Sequence, residues 1–263
     1  GRVFYGIGIA GLGVQQFIYK EFRPVIIPQW SASVAGVTVW AYITGALLII
    51  AGAIIVFSKS ARIISIDLGI AFFLLFLAFH VTNILFNNTN GFHFYLFTDP
   101  LKELTLSGGA LVVAGSYPAQ HLNTKIESFK RTQYTLTRTG SIFLSITMIV
   151  FGIDHFLYTD FVVGLVPAWL PWHIFWTYFA AVALIGSGVC IILKIKLKLV
   201  AFLLGLMLLI WFIILHIPRA IADPYGMKGN EISSVFEALA FSGIAFLISC
   251  KPGRETLGSS LKQ

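Results

Sequence analysis

Charged residues are scarce in this chain. Only 11% of its 263 residues are Asp, Glu, Lys or Arg, whereas 57% are hydrophobic. A soluble domain carries about a quarter charged residues, so a surface that faces water on all sides is excluded. The mean hydropathy is +0.87, and the long apolar runs with short polar breaks favour spanning helices over a barrel. The sequence therefore predicts an all-α integral membrane protein whose first partner is the lipid bilayer.

Cysteine and the usual cofactor motifs are also nearly absent. The two cysteines, Cys190 and Cys250, form no Cys-x-x-Cys pair, so neither a disulfide nor dithiol chemistry is indicated. No glycine-rich phosphate loop or nucleophile elbow occurs, and the glycines between Gly6 and Gly11 are spaced for helix packing. Any chemistry therefore has to take place among the helices or be supplied by a partner.

Eight apolar runs are near the roughly 20 residues that a helix needs to cross the hydrocarbon. They cover residues 3–19, 36–57, 63–86, 101–117, 139–157, 173–193, 199–217 and 232–250. Thirteen of the 18 Lys and Arg residues fall on one side of these spans, and by the positive-inside rule that side is cytoplasmic. We therefore expect both termini in the cytoplasm and a location in a bacterial inner membrane. The net charge of +7 follows from this asymmetry and does not indicate a nucleic acid partner.

The chain is an internal duplication. Residues 13–22, GVQQFIYKEF, return as residues 152–161, GIDHFLYTDF, and His80 returns as His216. The predicted organisation is a first four-helix membrane unit (1–117), a basic cytoplasmic linker (118–138), a second four-helix unit (139–250) and a cytoplasmic tail (251–263). Four spans per unit make the repeats parallel. Inverted repeats would have favoured an alternating-access transporter, so the parallel repeats weaken the transporter hypothesis.

Polar residues within spans are costly in lipid and are expected to point inward or toward a cavity. They concentrate at the predicted outer ends of the spans. The set is Gln16, His80, Asn83 and Glu103 in the first half, and Asp154, His155, His216, Arg219 and Glu237 in the second. The second half is chemically richer. Either one site kept its chemistry while its copy became structural, or both halves line one central pocket.

Four interpretations of this cluster remain open at this point. In the first interpretation, Arg219–Glu237 and Asp154–His155 are hydrogen-bonded pairs that hold the helices together. Alternatively, a quinone or other lipid-like ligand occupies an aromatic-lined pocket, with His216 or His155 donating to its carbonyl. His80, His155 and His216 suffice in number for haem or metal ligation. Proton or solute passage is the fourth interpretation.

The four-span unit resembles the DoxX/DoxD-like membrane family. The resemblance is carried by Gly152-Ile153-Asp154-His155-Phe156, a proline-rich outer loop, a glycine-rich second span, and Phe236-Glu237-Ala238-Leu239-Ala240 followed by Ser242-Gly243. Residues 139–250 are the better copy, because Gln16 replaces His155 in residues 1–117. The resemblance implies a four-helix bundle per unit, and members are linked to thiosulfate:quinone oxidoreductase subunits, redox-stress complexes and assembly roles.

We therefore expect a membrane subunit of a redox assembly that holds a quinone-like or lipid ligand near the outer leaflet. A lipid-binding or assembly factor without redox chemistry is the alternative, and a small-solute or proton transporter is the third hypothesis.

Overall fold

A computed structural model describes residues 1–28, 36–59, 61–87, 93–118 and 126–250. These residues form helices and connecting turns, and no strand occurs among them. The α-helices are α1 (Arg2–Tyr19), α2 (Val37–Phe57), α3 (Arg62–Leu75), α4 (Thr98–Gly115), α5 (Ile126–Leu157), α6 (Thr159–Leu165), α7 (His173–Leu193), α8 (Leu197–Trp211), α9 (Ile217–Ala222) and α10 (Asn230–Ser249). The all-α prediction is confirmed for the described chain, whereas the predicted tail, 251–263, lies outside it.

Six helical stretches of the described chain are long and apolar enough to cross a membrane. They are Val37–Phe57, Arg62–Phe86, Ser128–Leu157, His173–Leu193, Leu197–Ala222 and Asn230–Ser249. The helices α1 and α4 do not belong to this set. The helix α1 contains Gln15 and Gln16, and α4 contains Asp99, Lys102 and Glu103. The six apolar stretches fit a protein embedded in a lipid bilayer.

Glycines allow α1 to pack closely on two helices at once. A β-carbon on Gly6 would lie 2.8 Å from the carbonyl oxygen of Gly52 in α2, and one on Gly13 would lie 2.5 Å from that of Gly45. The other face of α1 carries Gly8, whose added β-carbon would lie 2.6 Å from the carbonyl oxygen of Phe236 in α10. Small residues of this kind let helix backbones approach closely in lipid. The first helix is therefore wedged between α2 and the last helix.

The helix α5 makes the equivalent contacts in the second half. It packs on α7 and on α4, and a β-carbon on Gly152 would lie 2.7 Å from the carbonyl oxygen of Ala181. Against α4, a β-carbon on Gly108 would lie 2.9 Å from the carbonyl oxygen of Gly140. The first helix of each sequence half therefore packs on the last helix of the other half.

Two serine hydroxyls tie neighbouring helices together at matching places. Ser107 donates to the carbonyl oxygen of Gly69 at 2.8 Å, and Ser242 donates to that of Gly205 at 2.8 Å. The rings of Phe17 and Tyr42 stack at 5.1 Å. In the second half, Phe156 and Tyr178 stack at 5.4 Å. The contacts recur at the positions that the repeat alignment pairs.

The structure corrects the start of the fifth predicted span and the end of the linker. The sequence prediction began this span at residue 139, but α5 already begins at Ile126 and runs for 32 residues. Its first four turns contain Lys130, Arg131 and Arg138, so the hydropathy of this part is too low to indicate a span. Residues 126–138 are helical, and residues 119–125 lie outside the described chain.

Both predicted third and seventh spans change their helical pitch at a histidine. The helix α3 continues as π-helix over Phe76–Val81, which contains His80. The helix α8 continues as π-helix over Phe212–His216 before α9 begins. Single π-helical turns are frequent at functional sites, so both histidines occupy a distinctive backbone setting.

Candidate functional site

An ion pair between α4 and α10 lies in the interior of the protein. Lys102 Nζ is 3.0 Å from Glu237 Oε2 and 3.5 Å from Asp99 Oδ1. The side chain of Glu237 is 3% exposed and that of Lys102 is 12% exposed. Removing two charges from water is costly, and the cost is offset only when they are well paired. The pair therefore makes the α4–α10 contact depend on both residues.

The predicted Arg219–Glu237 pair is wrong. Arg219 instead forms a bidentate ion pair with Glu231. The Arg219 Nε donates to Glu231 Oε2 at 2.9 Å, and the Arg219 Nη2 donates to Glu231 Oε1. Glu231 lies in the first turn of α10, six residues before Glu237. Bidentate pairing of this kind is geometrically specific. Arg219 therefore pairs with Glu231 near the end of the bundle, and Glu237, which lies deeper inside, pairs with Lys102.

His216 borders this ionic cluster without a hydrogen bond to it. Its Nδ1 is buried and has no hydrogen-bond partner among the described residues. The π-helical segment that ends at His216 packs on α10, and the charges of Lys102, Arg219 and Glu231 act on the imidazole. The structure therefore brings together three of the predicted site residues, His216, Arg219 and Glu237, through two partners that were not on the predicted list.

A second buried pair lies in the first half of the chain. His80 Nε2 is 3.5 Å from Glu103 Oε2, and the two side chains are 4% and 0% exposed. Neither this nitrogen nor either oxygen of Glu103 makes a hydrogen bond to a described residue. His80 and Glu103 are thus brought together as predicted, whereas Asn83 is exposed and is not part of this pair.

The glutamines of α1 are locked by hydroxyl groups. Thr44 donates to Gln16 Oε1 at 2.6 Å, and Ser233 donates to Gln15 Oε1 at 2.8 Å. Both glutamines are almost completely buried, and Gln16 Nε2 has no partner among the described residues. This end of α1 is therefore fastened to α2 and to α10, and its polar atoms are shut off from the surface.

We predict a small loss of stability when Thr44 is replaced by valine. The change keeps the shape but removes the hydrogen bond to Gln16, and such bonds between membrane helices contribute about 0.6 kcal/mol on average and about 1.7 kcal/mol at most. Unfolding in detergent measures the loss. Thr82→Val is the matched control, because the partners of the Thr82 hydroxyl within the described part of the chain are carbonyl oxygens of its own helix. Equal losses for both variants would contradict the assignment.

Asp154 and His155 occupy the equivalent end of α5, but they do not form the predicted pair. His155 Nδ1 lies 2.7 Å from the carbonyl oxygen of Phe151 in its own helix. The His155 ring stacks on Trp211 of α8, with ring centres 6.4 Å apart. Asp154 Oδ1 has no hydrogen-bond partner among the described residues. The prediction is wrong because the imidazole turns toward its own backbone and toward α8.

We call the region formed by Asp154, His155 and Trp211 the α5–α8 surface. All three side chains are only partly buried. The helix α5 packs mainly on α4 and α7, whereas α8 packs mainly on α10 and α7. Phe156 is 46% exposed and Ile213 is 53% exposed, so the surface is bordered by apolar groups that face outward. Asp154 and His155 are therefore only partly covered by neighbouring helices, although Asp154 Oδ1 itself is buried.

The predicted histidine set does not assemble into one ligand group. Within the described ranges, no group of three or more His, Cys, Asp or Glu residues lies close enough to hold a metal ion. His80 faces Glu103, His155 faces Trp211, and His216 borders Lys102. The haem or metal alternative from the sequence therefore gains no support from the placement of these residues.

Sequence reasoning missed several residues of the clusters. Lys102 and Arg23 had been counted only as charges on the outer side of the membrane, and Glu231, Thr44 and Ser233 were not considered. The sequence contained one indication of the role of Lys102. The alignment of the two halves that pairs Ser107 with Ser242 also aligns Lys102 with Glu237. Two charges of opposite sign at equivalent places of a repeat indicate a pair across the interface of the halves.

Arg23 is the largest of these omissions, because it is only 1% exposed. Its Nη1 donates to the carbonyl oxygen of Lys228 at 2.8 Å, and its guanidinium lies 4.4 Å from the centre of the Tyr19 ring. Burial lowers the pKa of the Arg23 guanidinium, and Glu21 opposes the shift. The arginine joins the segment after α1 to the turn before α10, and so closes this end of the bundle.

Comparison of the chain with protein-family models, with characterised proteins and with solved structures found no match. The resemblance to DoxX/DoxD-like proteins therefore stays a prediction.

Proposed function

We propose that the chain crosses the membrane eight times as two parallel four-helix repeats, with both termini on the cytoplasmic side of a bacterial inner membrane. The helices α1 and α4 are the two additional spans. Each packs along its length against helices that are apolar enough to cross the membrane. The recurring serine bonds of Ser107 and Ser242 and the recurring stacks at Phe17 and Phe156 support the repeat.

We further propose that the α5–α8 surface holds a quinone-like or other amphipathic lipid ligand, and that the protein serves as a membrane subunit of a redox assembly. One observation carries this proposal. The polar pair of α1, Gln15 and Gln16, is buried and closed by hydroxyl bonds. The polar pair of α5, Asp154 and His155, is partly exposed. One half has used these positions for structure, and the other has kept them open.

The absence of a closing hydroxyl in the second half has a simple origin. The alignment that pairs Trp40 with Trp176 also pairs Thr44 with Ala180, which has no polar side-chain atom. His155 therefore lacks the partner that holds Gln16. An aromatic ring, Trp211, stacks on it instead. Apolar pockets with a few placed polar groups are typical of ligand sites.

The hydrogen bonds of His155 define what the ligand has to offer. A carbonyl oxygen only accepts, so the contact with Phe151 requires a proton on His155 Nδ1. In a neutral imidazole, Nε2 is then an acceptor. The site therefore suits the hydroxyl of a quinol or of a lipid headgroup, and it would donate to a quinone carbonyl only as an imidazolium. This modifies the sequence prediction that His155 is a donor.

Electrons would have to come from a partner, because the sequence contains no motif for a redox cofactor. The resemblance to membrane subunits of redox assemblies supports this division of labour. The protein would bind and orient the ligand at Asp154 and His155, while a partner subunit supplies the oxidation or reduction.

Photo-crosslinking with a short-chain azidoquinone tests the ligand site. We expect the label on peptides from the end of α5 and from α8 around Trp211. In His155→Leu we expect at least a tenfold loss of labelling, which corresponds to a loss of about 1.4 kcal/mol in the free energy of binding. His173→Leu is the matched control, since His173 begins α7 and is not part of the surface. Labelling that is spread over all helices, or is unchanged in His155→Leu, would rule out this site.

The lipid-binding alternative makes a different prediction for the same experiment. A photoactivatable phospholipid would then label the α5–α8 surface, and the azidoquinone would not compete with it. Competition by the quinone separates the two ligand classes.

A further inference from the structure

The pair His80–Glu103 lies apart from the α5–α8 surface and has a different chemical character. Glu103 is completely buried, and both of its oxygens lack a hydrogen-bond donor among the described residues. A carboxylate in such a setting is strongly disfavoured, because it has lost its water and gained no compensating contact. The arrangement is far more stable when Glu103 is a neutral carboxylic acid.

The charges around Glu103 are already engaged with other groups. On its own helix, Lys102 and Asp99 contact each other, and Lys102 also binds Glu237 from α10. In the segment after α1, Arg23 is directed to the carbonyl oxygen of Lys228. From the third span, the packed neighbour is His80. Among the described residues, His80 is the one basic group at ion-pair distance from Glu103.

One tautomer of neutral His80 fits its surroundings. Nε2 is buried and makes no hydrogen bond to a described residue, so a neutral ring with its proton on Nδ1 leaves Nε2 as an unused acceptor. The lone pair of Nε2 is then directed to the Glu103 side, 3.5 Å from Oε2. An acid and a base thus face each other in a buried site. The π-helical turn at Phe76–Val81 places the histidine there.

We propose that His80 and Glu103 form a proton-binding site in the first half of the chain. Glu103 holds the proton as a carboxylic acid, and His80 Nε2 is the base that takes it up. When the proton moves, the O–H bond of Glu103 breaks and an N–H bond forms on His80. The product is a carboxylate beside an imidazolium, so no net charge is created within the membrane and no electron is transferred.

Infrared spectroscopy of the full-length protein in detergent tests this site. We expect a carbonyl stretch of a protonated carboxyl group at neutral pH that shifts in deuterium oxide and is lost in Glu103→Gln. Glutamine has nearly the shape of the neutral acid, so this variant is expected to fold. Glu231→Gln is the matched control and keeps the band, because Glu231 is a carboxylate paired with Arg219. A band that persists in Glu103→Gln overturns the proposal.

A second measurement needs no variant. In wild-type protein grown with glutamate that is labelled with carbon-13 at the side-chain carboxyl, the band has to move to lower frequency. A wild-type protein without such a band at neutral pH, or with a band that ignores the label, contradicts a protonated Glu103. Both results hold whether or not the α5–α8 surface binds a ligand.

Discussion

Replacing Lys102 by methionine is expected to destabilise the protein by about 3–5 kcal/mol, the range found when one partner of a buried ion pair is removed. Glu237 is 3% exposed, and its Oε1 has no other partner among the described residues. Without Lys102 its charge is left uncompensated. Reversible unfolding in mixed detergent measures the difference in the free energy of unfolding.

Two controls distinguish this effect from a general packing defect. The double variant Lys102→Met/Glu237→Met removes both charges, and it is expected to recover most of the loss. The deficit of Lys102→Met also shrinks as the pH falls, because the folded variant then binds a proton at Glu237 that the unfolded chain binds less readily. Additive losses in the double variant, with no dependence on pH, would show that Lys102 and Glu237 are not coupled.

The second large effect is expected for Gly140→Ala. An added methyl group at Gly140 would overlap the carbonyl oxygen of Gly108 and lie 2.7 Å from a methyl group of Val112. Because the first obstacle is backbone, α4 and α5 have to move apart. We expect a loss of about 3 kcal/mol, near the upper end of the usual range for overpacked cores, measured by thermal unfolding.

Gly186→Ala is the matched control for this change. Gly186 lies in α7, and a β-carbon there would meet no atom within 4 Å. Its replacement is expected to be neutral within about 0.5 kcal/mol or slightly stabilising, since alanine favours the helix more than glycine does. If both variants lose the same stability, the close approach of α4 and α5 is not what makes Gly140 sensitive.

Hydropathy was sufficient to predict the class of this protein and most of its helices. The limits predicted for α2 and α7 differ from the structure by at most one residue. The apolar side chains that drive insertion also define those helices, so composition and structure report the same property. The start of α5 escaped prediction because its first turns contain Lys130, Arg131 and Arg138, which are compatible with a helix but not with an apolar run.

Side-chain pairing was harder to predict, because it depends on the relative heights of helices. His216 and Arg219 are three residues apart, which predicts that they share one face of a helix. This spacing contains no information on whether Arg219 reaches Glu231 or Glu237 across the interface. The positive-inside rule could not reveal the role of Lys102 either. It counts cations by membrane side and does not indicate which of them are buried and paired, as Lys102 is with Glu237 between α4 and α10.

The same limitation applies to His155. Its partners are a carbonyl oxygen of its own helix and a ring on α8, and neither has a signature in the sequence. One of the two possibilities left open by the repeat is that the two halves use equivalent positions differently. The contrast between locked Gln16 and open His155 is the structural form of that difference.

Native mass spectrometry of the gently extracted protein, followed by organic extraction of bound small molecules, tests the proposed ligand site most directly. We expect one quinone-like or other amphipathic molecule per chain in the wild type and in His173→Leu, and its loss in His155→Leu. A wild-type chain that carries no such molecule, or one that His155→Leu retains in full, would contradict a ligand site at the α5–α8 surface.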